Sequence, residues 1–291
     1  MEEKKNPARF IIPETLDGYM LEGVEVIEIE KKTREIFESP RIIGLTEAVN
    51  DKELIYYAAR NELWHIIRKD SLCLIDELLL SLTMLDSELD IKVEGLVDNM
   101  KKRPFNLYQF ENSMEIPFHQ KSDWDKIMNA YEIFTGALPK NEIIKNVIPF
   151  VVDEFFTNAI FNSPLGKMRG WEGHRSNTKG DVFKFINKGM MRIAYGAEHV
   201  FIECMDPFGT FDPLSMLKCI KKTYEVGIAD AIRSDTNKGA GIGLRLVWDR
   251  SISMGALVEQ DKFCTFFSVI PYRIPSKMLA MHPKNFHIVL R

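Results

Sequence analysis

The sequence has few of the features that assign a protein on sight. Four cysteines occur in 291 residues. Cys73, Cys204, Cys219 and Cys264 lie too far apart to form a C-x-x-C zinc or redox motif. They read as buried or incidental thiols of a reducing compartment. Long apolar runs are missing too: the longest, Leu72 to Leu85, is interrupted by Asp76 and Glu77 and is too short to span a bilayer. Positive charge is not in excess, for the formal net charge is −4. That excludes a bulk cationic field pulling the whole chain onto nucleic acid or an anionic membrane. The opening MEEKKNPARF lacks the basic-then-apolar order of a secretion signal. No internal repeat or low-complexity tract is visible. The expectation from these absences is a cytoplasmic protein with no nucleic-acid and no membrane partner.

What is present is an ordinary globular mixture, 45% hydrophobic and 27% charged, at a length that suits two domains or one large one. Over 1–37 the short apolar runs give no confident element. RIIGLT (41–46) reads as a buried strand, DKELIYYAARN (51–61) as a helix, LWHII (63–67) as a strand and 71–85 as a strong helix. A further amphipathic stretch covers about 90–100. KKRPFN (101–106), with Pro104, marks a boundary. Beyond it, SMEIPF (113–118) alternates as a strand, 121–136 is helical, and 140–162 is the most helix-like segment, with Pro149 kinking it or marking its true start. A polar, glycine-rich loop follows over 164–181. MMRIAY (190–195) and HVFIECMD (199–206) form a hairpin around Gly196-Ala197, and 213–227 is helical. A glycine loop at 239–243 leads into a helix ending near Gly255, and CTFFSVIPY (264–272) is a strand. The order predicts an α+β fold, a two-layer sandwich of a mostly antiparallel mixed sheet with helices on one face, plus a smaller N-terminal α/β module. The divisions are 1–104 for that module, 113–275 for the larger domain and 276–291 for a C-terminal extension.

Three groups of residues carry chemistry. Glu154 and Asn158 stand four apart on a helix whose remaining circumference is nearly all apolar, so a carboxylate and a carboxamide project side by side. A general base beside a magnesium ligand fits that pair, since a carboxamide oxygen is a hard donor; a solvent-facing polar stripe is the plainer alternative. Asp206 ends a strand and is followed by a Pro207-Phe208-Gly209 turn, where its carboxylate can accept from an exocyclic amine such as adenine's; a plain Asp-Pro turn is the alternative. Gly239, Gly241 and Gly243 alternate before a helix starting near Leu244, which lets backbone approach phosphate at a helix N-terminus; a flexible hinge is the alternative. The spacing is not a dinucleotide fingerprint, whose third glycine would come one residue later, and no G-K-S/T of a Walker loop follows.

In this order the three groups resemble the Bergerat-fold ATPases: gyrase, the ninety-kilodalton heat-shock chaperones, histidine kinases and mismatch-repair MutL. In that superfamily an E-x-x-x-N helix box precedes an Asp-containing adenine box, a flexible lid, a G-x-G-x-G/L box and a Thr on a later strand. The corresponding parts are Glu154/Asn158, Asp206 with Gly209, about 221–238, Lys238 to Leu244 through Gly239, Gly241 and Gly243, and Thr265. The resemblance covers roughly 113–272. It departs from the pattern at the adenine box, where Asp206-Pro207-Phe208-Gly209-Thr210 replaces D-x-G-x-G. A long loop from Pro164 to Gly189, carrying Arg169, His174, Arg175 and Lys179, is a second departure. Glu154-Phe155-Phe156-Thr157-Asn158-Ala159 is most similar to the box of the anti-sigma-factor serine kinases. The resemblance implies ATP and magnesium as cofactors, with Glu154 as the base for a partner's hydroxyl, Asn158 on the metal and Asp206 on adenine. None of the six histidines begins a long helix that would present a phosphoacceptor.

The N-terminal module resembles a shortened second half of a response-regulator receiver, with Thr46 and Lys69 at successive strand ends, and implies interaction without phosphotransfer. The resulting expectation is an ATP-binding signalling protein, a serine/threonine kinase acting on a regulatory protein partner. Two alternatives stay open: a non-catalytic nucleotide-sensing or degenerate interaction module, and a histidine-kinase relic whose acceptor lies on another protein. A homodimer also stays open.

Overall fold

The computed structural model describes residues 10–11, 41–46, 50–61, 64–71, 73–85, 110–161, 188–228, 230 and 242–290. The fold is α+β, and the chain divides into two compact units, Met1–Leu107 with Pro283–His287, and Tyr108–His282 with Ile288–Arg291.

The first unit holds strands β1 (Phe10–Ile11), β2 (Arg41–Thr46) and β3 (His65–Arg68) with helices α1 (Asp51–Asn61) and α2 (Leu74–Leu85). β1, β2 and β3 run parallel, which needs a crossover, and α1 supplies it between β2 and β3. Asn50 caps α1 by accepting from the Glu53 N–H at 3.0 Å. The Lys69 N–H donates to the Thr46 carbonyl at 2.8 Å, tying together the ends of the two strands. Residues from the C-terminal extension enter this unit. His287 and Phe286 of strand β9 (Asn285–Leu290) pair antiparallel with His65 and Ile66 of β3.

The second unit is built on five strands: β4 (Asn112–Phe118), β5 (Gly189–Tyr195), β6 (His199–Asp206), β7 (Ser253–Glu259) and β8 (Phe263–Pro271). Their order is β7-β8-β6-β5-β4, and every pairing is antiparallel. The helices are α3 (Asp123–Phe134), α4 (Ile148–Phe161), α5 (Pro213–Val226) and α6 (Ile242–Arg250). A π-helical turn, Ile143–Val147, leads into α4. Pro149 is the second residue of α4, directly after that turn, and it does not break the helix that follows.

α4 covers one face of the sheet. Phe155 lies 6.0 Å from the ring of Phe266, and Phe156 lies 5.1 Å from that of Phe118. Val151, Val152, Phe155, Phe156 and Ile160 are all buried, and a fully buried side chain of this kind contributes about 1.5–3 kcal/mol. The opposite face carries an ion-pair cluster in which buried Arg192 lies 3.0 Å from exposed Glu115 and 3.6 Å from buried Glu203, beside the stacked rings of Phe201 and Phe267.

Two elements differ from the sequence reading: part of the expected C-terminal extension is strand β9, and the helix after the glycine loop is shorter. The helix after the glycine loop ends at Arg250 rather than near Gly255, and Ser253–Glu259 is strand β7. Ser253 to Val258 are all buried, so the strand has no exposed side to produce a period of two, and Gly255 lies within it instead of ending a helix. Among the described residues no helix is long and apolar enough to cross a membrane.

Candidate functional site

The site starts from α4. Glu154 is buried, and Asn158, one turn on, donates from Nδ2 to its Oε1 at 2.9 Å. That bond turns the amide so that Nδ2 faces the carboxylate and Oδ1 lies on the other side. Thr157 and Asp153 pair along the neighbouring edge of the helix, at 3.4 Å.

The first turn of α6 comes against the same carboxylate. A Cβ built on Gly243 would overlap the carboxyl carbon and both oxygens of Glu154. Gly243 is not in the left-handed region. Glycine is required here by close approach and not by backbone conformation. The helix box and the end of the glycine box, 89 residues apart by number (243 − 154), therefore meet at one point. Leu244 follows in α6, whose grip on α5 is made by Arg245, 3.1 Å above the ring of Tyr224, and by the Trp248 Nε1–H donating to the Tyr224 hydroxyl at 3.2 Å.

Asp206 ends β6 on the helix-covered face. Its Oδ1 accepts from the Phe208 N–H at 3.0 Å, and the Gly209 N–H also donates to the carboxylate. Burial outweighs these two donors and pushes the carboxyl up to about 6. Gly209 has φ +63°, and a Cβ there would overlap the Glu259 carbonyl oxygen and stand 2.8 Å from the Lys262 nitrogen. The turn after Asp206 is thus interlocked with the β7–β8 turn, whose Asp261 donates its N–H to the Gly209 carbonyl. Gly209 serves to close that turn against the hairpin.

Thr265 is not brought to this place. It pairs with Met205 while Asp206 pairs with Cys264. Successive side chains of a strand point to opposite faces, so Thr265 lies on the face away from Asp206. Its hydroxyl is buried there without a hydrogen-bond partner. The residues that do share the face of Asp206 are Cys264, directly across, and Cys204, two positions earlier in β6. Both thiols are buried and pushed up, first by burial and then by the negative charge of Asp206. Sequence reasoning passed over them, although the alternation in HVFIECMD and the pairing register together identify them. Lys238, Gly239 and Gly241 fall outside the described residues, as do the loop carrying Arg169, His174, Arg175 and Lys179 and half of the expected lid, whose first residues, 221–226, are the end of α5.

Among the described residues, no group of three or more His, Cys, Asp or Glu side chains could cage a metal ion. Magnesium, however, is commonly held by one or two protein oxygens together with substrate phosphates, and the orientation of the Asn158 amide suits that mode. No family model matches the chain, and no similar curated protein or solved structure was found.

Proposed function

We propose that the chain is an ATP-binding signalling protein with a histidine-kinase-like, Bergerat-type ATPase domain, acting as a serine/threonine kinase on a regulatory protein partner. The observation that carries this reading is the contact of Gly243 with the carboxylate of Glu154. Two sequence-distant motifs meet where a phosphate-binding helix start and a general base need to be neighbours. The Asn158 bond to Glu154 and the half-buried carboxylate of Asp206, on the helix-covered face, add to it.

In this reading Asn158 holds magnesium through its amide oxygen, and the metal supplies charge neutralisation on the phosphates. Asp206 accepts from the adenine amine. Glu154 takes the proton of the partner's hydroxyl as that oxygen forms its bond to the terminal phosphorus and the bond to the leaving diphosphate breaks. A second reading, a nucleotide sensor without turnover, is favoured by Thr265, which faces away from Asp206.

Calorimetric titration of the full chain with magnesium and a non-hydrolysable ATP analogue tests the common part. Binding at 100 times the dissociation constant should also raise stability by about 2.7 kcal/mol. Neither heat nor thermal shift at millimolar analogue would end both readings. Glu154→Gln then separates them: loss of about 10²–10⁴ in transfer rate with binding retained is expected of a kinase, whereas a sensor gives no transfer to lose.

A further inference from the structure

The contact that joins α4 to α6 leaves no room for a phosphate between them. A Cβ built on Gly243 would stand 2.0 Å from the carboxyl carbon of Glu154 and 2.1 and 2.2 Å from its two oxygens. Three nearly equal distances mean that the flat face of the carboxyl group lies against the glycine. With a Cα–Cβ bond of about 1.5 Å, the carboxyl carbon is no more than about 3.5 Å from the Gly243 Cα, which is van der Waals contact. Gly243 is the second residue of α6, so the carboxylate is packed on the first turn of that helix. Any group taken up between the two must move one of them.

The first turn of a helix favours an anion, through its unpaired N–H groups and the positive end of the dipole. A carboxylate and a phosphate are the same kind of ligand for that place. Two anions in contact also repel strongly in a partly buried site. They are therefore alternatives for the first turn of α6.

The part that yields is decided by how each is held. α6 is anchored by its far side: Val247 and Trp248 are fully buried, the Trp248 Nε1–H donates to the Tyr224 hydroxyl at 3.2 Å, and the Arg245 guanidinium lies 3.1 Å above the Tyr224 ring. Withdrawing the helix would undo all of these together. Swinging Glu154 aside gives up the hydrogen bond from Asn158, 2.9 Å long, and the far end of a side chain moves more easily than an anchored backbone. The side chain is the part that moves.

We propose, on the nucleotide reading of this site, that Glu154 is an internal competitor for phosphate: its carboxylate holds the first turn of α6 against nucleotide, and phosphates bind there only as it swings away. The contact is autoinhibitory, and the residue that serves as base in the transfer also limits affinity. Two consequences separate this role from a loss of packing. Weakening the contact raises affinity for a ligand that carries phosphates. It leaves affinity for the bare nucleoside unchanged, because in that reading the base is held at Asp206 and not at α6.

The test is calorimetric titration of the full chain and of two variants, Glu154→Gln and Glu154→Ala, with a non-hydrolysable ATP analogue in magnesium and, separately, with adenosine. Glutamine keeps the bulk and loses the charge, and alanine loses both. The analogue should bind more tightly to Glu154→Gln than to the parent, and most tightly to Glu154→Ala. The gain in the alanine variant should be about tenfold or more, the worth of the hydrogen bond that the parent must break. Adenosine should give the same result with all three proteins. If Glu154→Ala does not fold, Glu154→Gln against the parent decides by the same sign. Equal or weaker binding of the analogue by the variants, or a gain shared equally by adenosine, overturns the competitor while the ATP reading stands. No binding of the analogue by the parent ends the ATP reading itself, so the two failures are told apart.

Discussion

Replacing Gly243 by alanine should act almost entirely through Glu154. The backbone at this position is not left-handed, so alanine is locally acceptable and gains about 0.5–1 kcal/mol over glycine inside a helix. The new methyl overlaps the carboxyl group of Glu154. That group is the far end of a side chain, which yields more easily than backbone, so it swings aside while the helices stay together. In swinging it gives up the hydrogen bond from Asn158, and a bond to a charged group contributes about 1.5–3 kcal/mol. The net expectation is a loss of about 0.5–2.5 kcal/mol, together with a base moved out of position. In a Glu154→Ala background the overlap has no partner, and the same Gly243→Ala change should now stabilise by about 0.5–1 kcal/mol. The sign reverses between the two backgrounds. Urea unfolding of the four proteins, read at constant m-value, measures the coupling. Equal effects of Gly243→Ala in both backgrounds, within about 0.5 kcal/mol, would refute the contact and with it the meeting of the two boxes.

Other positions test the remaining parts of the site. Gly209→Ala must hold an L-residue at φ +63° against the backbone of the β7–β8 turn; it should destabilise by more than the roughly 1–2 kcal/mol of the left-handed conformation alone, a loss visible as a lower urea midpoint. Thr265→Val removes a buried hydroxyl that has no partner; it should raise stability by about 1–3 kcal/mol and leave nucleotide affinity unchanged, whereas a drop in affinity would return Thr265 to the site. Asp206→Asn tests the raised carboxyl. Between about pH 4 and 6 the folded chain keeps a proton on Asp206 that the unfolded chain has released, so the parent should lose stability as pH rises through that window. The variant should lack that slope and be more stable above pH 6, by at most about 3 kcal/mol given a rise from 3.8 to about 6. A parent curve flat over that window would show that the carboxyl is not raised.

What the sequence made legible follows from local periodicity. The four-residue spacing of Glu154 and Asn158 became a real hydrogen bond because any helix sets such residues one turn apart. The hairpin of β5 and β6 was readable because it closes locally, with the Gly196 N–H donating to the His199 carbonyl. What escaped depends on partners distant in sequence. β7 has no alternation because both of its sides are buried. The assignment of Thr265 failed by a single residue of register, which exchanges every side chain between faces. A buried hydrogen-bonded array of His65, Glu77, Ser81 and His287 draws on positions more than 200 residues apart, and no local pattern connects them. The C-terminal strand likewise read as an extension because its pairing partner lies in β3.

The environments of the two candidate carboxylates also argue about why they are there. Glu154 has a side-chain donor in Asn158. Asp206 is held in its charged form against the preference of its surroundings, since burial lifts it to about 6 despite two backbone donors. An asparagine could still accept from the Phe208 N–H and would avoid the charge penalty, so the turn alone gives no reason for a carboxylate. Two hydrogen bonds use only part of a carboxylate's acceptor capacity, which is about four lone-pair sites. A donor arriving from outside the chain, such as an exocyclic amine, would find the remaining sites on the helix-covered face and would favour the ionised form that burial opposes. A residue that lowers stability unless it is given an external donor is the pattern expected of a binding position. Thr265, on the opposite face, also carries a polar group that lowers stability, but it is fully buried and no donor or acceptor can reach it from solution. Partly buried and unfavourably charged, Asp206 is therefore the stronger candidate for a binding position, and it stands beside Cys264, where the family pattern led us to expect Thr265.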